Sequence, residues 1–357
     1  MGNTKKFVGL GLTALRSNVS RLDKPYKLNF ATTYWCQSRC LTCNIWQMKP
    51  KNELRIDEIN EFAKKNDHFR WIGITGGEPF MRSDVVDIAD AFMKSSKDLY
   101  LVTIPTNSLS DQKMVISKIE KMLQLGIPKL SITLSLDGSR ELHDRIRGVP
   151  GNFDRVMGVA RTLREMQRQY SNLFFIFGYT MSRYNHGALG HTCRSVMHEV
   201  PGTKYSDFHI NLSHNSSIYY NNIGMEIAAD RMINSAELEG FLNKREREMS
   251  VIQLIETVFL KNLINYANTG KPPVKSRSLD ASLFMDSFGN VYPSIQWDRK
   301  IGNIRDTAYD LAPIWNGTQA EQARRIISEG NDPGSWTACE AYQSIVGHLP
   351  SFASLLS

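Results

Sequence analysis

The amino-acid sequence predicts an α/β protein: a partial (β/α)6 TIM-like barrel followed by a smaller α+β C-terminal region. Three observations carry this. Strand-length apolar segments alternate with helical patterns six times between Tyr26 and Ser213. The fourth of these segments alternates strictly, with Leu130, Ile132, Leu134 and Leu136 on one face and Ser131, Thr133, Ser135 and Asp137 on the other. From about Asn221 the rhythm stops. Successive β/α units imply parallel strands joined by right-handed crossovers, with the site at the carboxyl ends of the strands. A flat doubly wound sheet is the alternative. The polar face of strand four, and again His209, Asn211 and Ser213, favours a barrel wall facing a polar substrate.

The strands are expected at residues 26–33, 70–75, 99–104, 129–136, 172–180 and 206–213. Asp111 opens the helix after the third strand and Gly126 closes it. Before the barrel, residues 1–25 form an N-terminal helix in which Val8, Leu12, Leu15, Val19 and Leu22 recur at spacings of three and four. That stripe is expected to pack against the barrel; Arg16 and Arg21 beside it leave peripheral membrane contact as a second reading. The barrel covers residues 26–225. Residues 226–357 hold one long helix, over 235–268, and a β-hairpin whose strands, 282–286 and 291–295, flank a Ser-Phe-Gly-Asn turn.

Of the 357 residues 41% are hydrophobic and 22% charged, the balance of an ordinary globular protein. The net charge of +7 is spread among acids, so no nucleic-acid partner is expected, and the densest run, over 244–248, mixes signs as a solvated helix face does. No apolar run approaches the roughly 20 residues that span a bilayer, and the start lacks the apolar core of a signal peptide, so a cytoplasmic protein is expected. The five cysteines are odd in number, and Cys36, Cys40 and Cys43 fall too close together for a secreted disulfide framework. They read as metal ligands in a reducing compartment. Cys193, on the apolar stripe of a helix, reads as a small buried hydrophobe.

Cys36, Cys40 and Cys43 follow the first strand, where a barrel loop reaches the mouth. Structural zinc normally needs a fourth Cys or His, and none is near in sequence. A 4Fe-4S cluster with three thiolates instead leaves one iron open to a ligand. The Cys-x3-Cys-x2-Cys pattern resembles the signature of the radical S-adenosylmethionine (radical SAM) superfamily, and Gly76-Gly77-Glu78-Pro79, ending strand two, resembles its second motif. The resemblance implies that S-adenosyl-L-methionine chelates the open iron, with Gly76, Gly77, Glu78 and Pro79 receiving its amino group. Two glycines would let the backbone approach that group closely. By the same resemblance Ser135 contacts the cofactor with Asp137 and Arg147 nearby, and Thr106-Asn107 lines the pocket, although Ser108 stands where the family has glycine. Thr42 replaces an aromatic residue that often precedes the third cysteine.

Residues 288–293, 301–304 and 336–340 resemble an accessory region called SPASM or twitch, which in relatives binds auxiliary clusters through cysteines. Here Ser294, Asp332 and Ser335 stand in cysteine positions and Cys339 alone is left, so no auxiliary cluster is expected. The resemblance thus implies one 4Fe-4S cluster, a reducing partner such as flavodoxin or ferredoxin, and a 5′-deoxyadenosyl radical that takes hydrogen from a small-molecule, lipid or peptide substrate. It leaves open whether the net reaction is oxidoreduction, isomerisation or carbon–carbon bond formation. Tyr179, Asn185, His209, Asn211, Ser213 and His214 are the substrate-side candidates; no acid, base or radical-quenching residue is named. A non-catalytic iron–sulfur scaffold or sensor is the alternative, and a zinc-binding structural protein a further one.

Overall fold

The structure, a computed structural model, describes residues 2–246 and 250–353. Six parallel strands, β1 (Lys27–Thr33), β2 (Trp71–Gly76), β3 (Leu101–Thr106), β4 (Lys129–Leu136), β5 (Leu173–Met181) and β6 (Phe208–Leu212), pair in chain order. Between them run α2 (Ile56–Lys65), α3 (Val85–Ser95), α4 (Gln112–Gln124), α5 (Arg140–Arg147), α6 (Asn152–Met166) and α7 (Leu189–Glu199), with α1 (Gly2–Val19) ahead of the first strand. Asp111 caps α4 by accepting from the Met114 N–H at 2.9 Å. The mixed α/β architecture is that of a partial TIM-like barrel.

The helix-facing residues of the strands are large and apolar. Ile72, Val102, Ile132, Phe175 and Phe177 are all essentially inaccessible, and Phe92 of α3 meets Phe62 and Phe69 edge-on below them. Cys193 is buried in this layer. The inner faces alternate with the outer ones, as the pleat requires. On β5 that parity turns Tyr179 outward with Phe175 and Phe177, and its hydroxyl donates to the Asn185 carbonyl at 3.1 Å. Tyr179 and Asn185 therefore belong to the wall, because the inward residues of β5 are Phe174, Ile176, Gly178 and Thr180.

The C-terminal region continues the barrel sheet. Strand β7 (Ser282–Met285) pairs in parallel with β1, and β8 (Asn290–Tyr292) and β9 (Gly302–Asn303) extend it antiparallel, giving the order β6-β5-β4-β3-β2-β1-β7-β8-β9. Without β7 the edge of β1 would expose its backbone donors and acceptors. The helix expected over 235–268 is two helices, α8 (Arg231–Leu242) and α9 (Val251–Thr269). The first ends at a turn over 243–246, and Ser250 caps the second by accepting from the Gln253 N–H. The mixed-charge run over 244–248 enters that turn; its residues 247 and 248 lie outside the described residues. Helices α10 (Ala312–Trp315), α11 (Thr318–Ser328), α12 (Ala338–Gly347) and α13 (Leu349–Ala353) complete the chain. No helix of the described residues is long and apolar enough to cross a membrane.

Helix α1 lies on the barrel with the opposite face from the one its apolar stripe suggested. Val8, Leu12 and Val19 are 51%, 61% and 86% exposed, while Ala14 and Ser17 are buried. Small residues allow a close backbone approach: Asn18 Nδ2 reaches the Gln343 carbonyl of α12 at 3.4 Å, and Arg277 holds Asn18 Oδ1 at 2.9 Å. Two substitutions separate the faces. Leu12→Ser should change stability by less than about 0.5 kcal/mol, whereas Ser17→Leu should lose about 1–3 kcal/mol through overpacking, both read from urea unfolding. The reverse ranking would return the stripe to the core.

Candidate active site

The carboxyl ends of the strands enclose a cavity of about 230 Å³. Strand β1 delivers the loop that carries Cys36, Cys40 and Cys43, and all three free thiols line the cavity. The loop is anchored by backbone bonds on two sides. Arg39 N–H donates to the Arg147 carbonyl at 2.9 Å and Leu41 N–H to the Ile146 carbonyl at 2.8 Å. On the other side Gly77 N–H donates to the Thr33 carbonyl at 2.7 Å and Glu78 N–H to the Trp35 carbonyl at 2.9 Å.

Those contacts give the glycines a reason the sequence did not show. A Cβ at Gly76 (φ +115°) would lie 2.1 Å from the Thr33 carbonyl oxygen, and one at Gly77 would lie 2.2 Å from that of Trp35. The space beside both glycines is filled by the cysteine loop's own backbone. Gly148, at φ +66°, is pressed in the same way: a Cβ there would sit 2.6 Å from the Arg39 carbonyl oxygen.

The sulfurs face donors. Asn107 Nδ2 points at Cys36 Sγ at 3.6 Å, Arg147 Nη1 at Cys40 Sγ at 3.7 Å, and the Ile45 N–H at Cys43 Sγ at 3.5 Å. Burial pushes the Cys36 and Cys43 thiols up to about 12, so both stay protonated near neutrality unless a metal displaces the proton. Among the described residues no three His, Cys, Asp or Glu side chains converge on one ion position. Three soft thiols, each facing an N–H donor, suit the thiolate corners of an iron–sulfur cluster.

Glu78 is buried, with Oε1 accepting from Thr106 Oγ1 at 2.9 Å and from the Phe80 N–H at 3.2 Å, and Oε2 from the Asn107 N–H at 2.7 Å. Burial outweighs these donors and raises its carboxyl from the usual 4.5 to about 7. Asn152 ties the neighbouring turn together: its Nδ2 donates to the Asn107 carbonyl at 2.8 Å, and its Oδ1 meets His143 Nε2 at 3.1 Å. His143 Nδ1 in turn accepts from the Asp137 N–H at 3.1 Å, and burial lowers the imidazole to about 3, so it is the neutral acceptor this bond needs. Asp137 pairs with Arg147 at 2.6 Å. Burial still raises the Asp137 carboxyl, while Asp137 and the Cys40 and Cys36 sulfurs hold the charge on Arg147 against its own burial.

Of the residues singled out from sequence, Gly76, Gly77, Glu78, Thr106, Asn107, Ser135, Asp137 and Arg147 line this cavity with the three cysteines. Pro79 does not; it begins a 3₁₀ turn in which the Glu78 side chain caps the Phe80 N–H. Asn211, Ser213 and His214 are on the wall, whereas His209 sits one inward step lower and opens on a different cavity. Asn211 Oδ1 and His214 Nε2 are buried without a protein partner, and burial lowers the His214 imidazole to about 4. Sequence reasoning missed Trp46, Tyr219 and Tyr220. Tyr219 hydrogen-bonds Thr75 through its hydroxyl, and Tyr220 accepts the Asn44 N–H at 2.9 Å, so the loop after β6 closes over the cysteine loop. The signal available was positional: that loop leaves a carboxyl strand end.

The model of the Radical SAM superfamily matches residues 30–186, from within β1 to just beyond β5. This stretch is similar to radical SAM domains. Two curated relatives from Methanosarcina barkeri (strain Fusaro / DSM 804) are similar to part of this chain. An AdoMet-dependent heme synthase is 30% identical over 155 residues, 41% of this chain and 41% of the relative. An Fe-coproporphyrin III synthase is 30% identical over 138 residues, 37% of this chain and 32% of the relative. The chain thus spans about two fifths or less of these relatives' length. Among solved structures, Streptococcus suis SuiB bound to S-adenosylmethionine superposes with a TM-score of 0.60 at 14% identity, covering 89% of this chain and 71% of SuiB. Native anSMEcpe with bound AdoMet gives 0.58 at 17% identity, covering 84% and 82%. These likenesses are of fold, and they cover more of the chain than residues 30–186.

The Glu78 carboxyl yields a pH test. A carboxyl whose folded value is raised from 4.5 to about 7 adds stability that is fully present below 4.5 and lost as pH rises through 7. Urea midpoints should therefore fall between pH 5 and about 8, and Glu78→Gln should flatten that slope. An unchanged slope in the variant would place the titration elsewhere.

Proposed function

We propose that the chain is a radical SAM enzyme in which Cys36, Cys40 and Cys43 hold a 4Fe-4S cluster and S-adenosyl-L-methionine occupies the cavity beside them. The observation that carries this reading is the set of three thiols, each facing an N–H donor, on one wall of a cavity within the radical SAM domain. When bound, the cluster and cofactor supply an electron and a 5′-deoxyadenosyl radical that abstracts a hydrogen atom from substrate. The chain's own part is positioning and exclusion of water. Asn107, Arg147 and the Ile45 N–H stabilise sulfur charge. Gly76, Gly77 and Glu78 form the rim for the cofactor's amino group, with Pro79 fixing the turn behind them; Thr106 and Asn107 hold Glu78 in place, and Ser135, Asp137 and Arg147 line the opposite side. Tyr219, Tyr220 and Trp46 shield the mouth, while Asn211 Oδ1 and His214 Nε2 offer unpaired polar atoms to a substrate.

The heme-synthase and coproporphyrin-synthase relatives favour a small-molecule substrate over a peptide one. Flavodoxin or ferredoxin is the reductant this chemistry calls for. Residues 226–357 are best read as a SPASM/twitch-like shell without an auxiliary cluster. Cys339 is the one thiol there, and Glu340, accepting from Ser335, Thr337 and the Ile295 N–H, occupies the neighbourhood with oxygen instead of sulfur. The outward stripe of α1, with Lys5, Lys6 and Arg16 and no acid on the helix, supports peripheral contact with an anionic membrane. Leu12→Glu should then abolish co-sedimentation with phosphatidylglycerol vesicles while the folded protein stays in solution; retention by the variant would exclude that contact.

The enzyme reading is tested by anaerobic reconstitution with iron and sulfide, followed by dithionite and S-adenosyl-L-methionine. The wild type should release 5′-deoxyadenosine, and Cys43→Ala should release none while keeping its circular dichroism spectrum. A reconstituted wild type that yields no 5′-deoxyadenosine, with or without cell lysate as a substrate source, would leave a scaffold or sensor.

A further inference from the structure

The barrel interior holds a second cavity, of about 230 Å³, at the amino-terminal ends of the strands. The same inner faces build both. On β4, Thr133 and Ser135 belong to the upper cavity and Lys129 and Ser131 to the lower; on β5 the division falls between Gly178 and Ile176. The two differ sharply in chemistry. The lower wall is dominated by Trp71, Leu101, Phe174 and Ile176, and α1 lies across its mouth with Phe7 in ring contact with Tyr100 at 5.4 Å.

Three features show that this space is not an ordinary packed barrel floor. First, its rim is apolar and reaches solvent: Phe7, Val251 and Ile252 are 37%, 51% and 42% exposed. Second, Lys129 stands at the rim with its ammonium 5.5 Å from the Phe174 ring, and no carboxylate among the described residues pairs with it. Burial lowers its pKa, and nothing opposes that shift. Third, the cavity reaches His209, which is 4% exposed and whose Nδ1 is engaged by Glu256 Oε1 at 2.8 Å and by the Tyr342 hydroxyl at 2.9 Å. Nε2 is left buried with no partner, so the protein alone does not close the space.

We propose that this lower cavity binds a long-chain carboxylate, with its acid group on Lys129 and its aliphatic chain between Trp71, Leu101, Phe174 and Ile176. An anion beside Lys129 supplies the missing countercharge in a half-buried setting, where ion pairing is less screened than at an open surface. A chain seated on the aromatic and aliphatic wall removes apolar surface from water on both sides. The exposed stripe of α1 next to the rim, with Lys5 and Lys6 beside Phe7, continues the same combination of apolar surface and positive charge outward. The inference stands apart from the radical reading of the upper cavity and needs neither cluster nor cofactor.

Isothermal titration calorimetry of the full chain with the series from octanoate to palmitate, below micelle-forming concentrations, tests this. Saturable one-to-one binding that tightens with chain length is expected. Lys129→Gln should weaken carboxylates by about tenfold and leave the corresponding fatty alcohols unchanged, because the variant loses the cation and keeps the wall. Ile176→Trp, filling the cavity, should remove both. Absence of saturable binding by the wild type, or equal carboxylate affinity in wild type and Lys129→Gln, would overturn the proposal. Undiminished binding by an Ile176→Trp protein with native circular dichroism would do the same, by placing the ligand outside the barrel.

Discussion

The loop carrying the three cysteines is pressed against the end of the neighbouring strand so closely that no side chain fits between them. The carbonyls of Thr33 and Trp35 occupy the positions where Cβ atoms of Gly76 and Gly77 would stand, and both carbonyls accept N–H groups from that turn. Everything else at the barrel mouth takes its place from this contact. It fixes the exit of β1, hence where Cys36 stands, and it turns Glu78 inward, where Thr106 and Asn107 bind it. Asn107 then reaches Cys36 with its amide. A second clamp, at Arg147 and Gly148, holds the far side of the loop, and Asn152 and His143 link the Asn107 turn to the Asp137 backbone. The thiols are thereby set by backbone packing.

The barrel interior divides its chemistry along the strand axis. Toward the carboxyl ends the inner faces carry Thr, Ser, Gly and Asn, which leave room and hydrogen-bonding capacity. Toward the amino ends they carry Trp, Phe and Ile, with Lys129 at the rim. A site at the carboxyl ends is the rule for barrels, because the βα loops converge there and the opposite end serves packing. Here the opposite end is also hollow, roofed by a helix that turns Phe7, Leu10 and Ala14 toward it and Val8, Leu12 and Val19 toward solvent.

Much of this was legible in the sequence because it depends on local periodicity. The alternation of β4 gave both its faces, and the spacing of the cysteines with the Gly-Gly-Glu-Pro turn marked the loops that meet. What periodicity could not give was which face of α1 is buried: a stripe of Val and Leu signals amphipathicity, but Ala14 and Ser17 pack where backbones approach closely. Its position near a strand end makes Tyr179 a substrate-side candidate, although strand parity, counted from Gly178 and Thr180, turns it outward. The parallel pairing of β7 with β1, far apart in the chain, leaves no local mark at all, and neither does the closure of Tyr219 and Tyr220 over the cysteine loop.

In the proposed function three thiolates leave one metal corner open to a ligand, and electron paramagnetic resonance reads that corner directly. Anaerobically reconstituted, dithionite-reduced protein should give the signal of a reduced 4Fe-4S cluster, and adding S-adenosyl-L-methionine should shift its g values as the ligand reaches iron. A reduced-cluster signal indifferent to S-adenosyl-L-methionine, or a protein that takes up zinc and no iron at these cysteines, would contradict it.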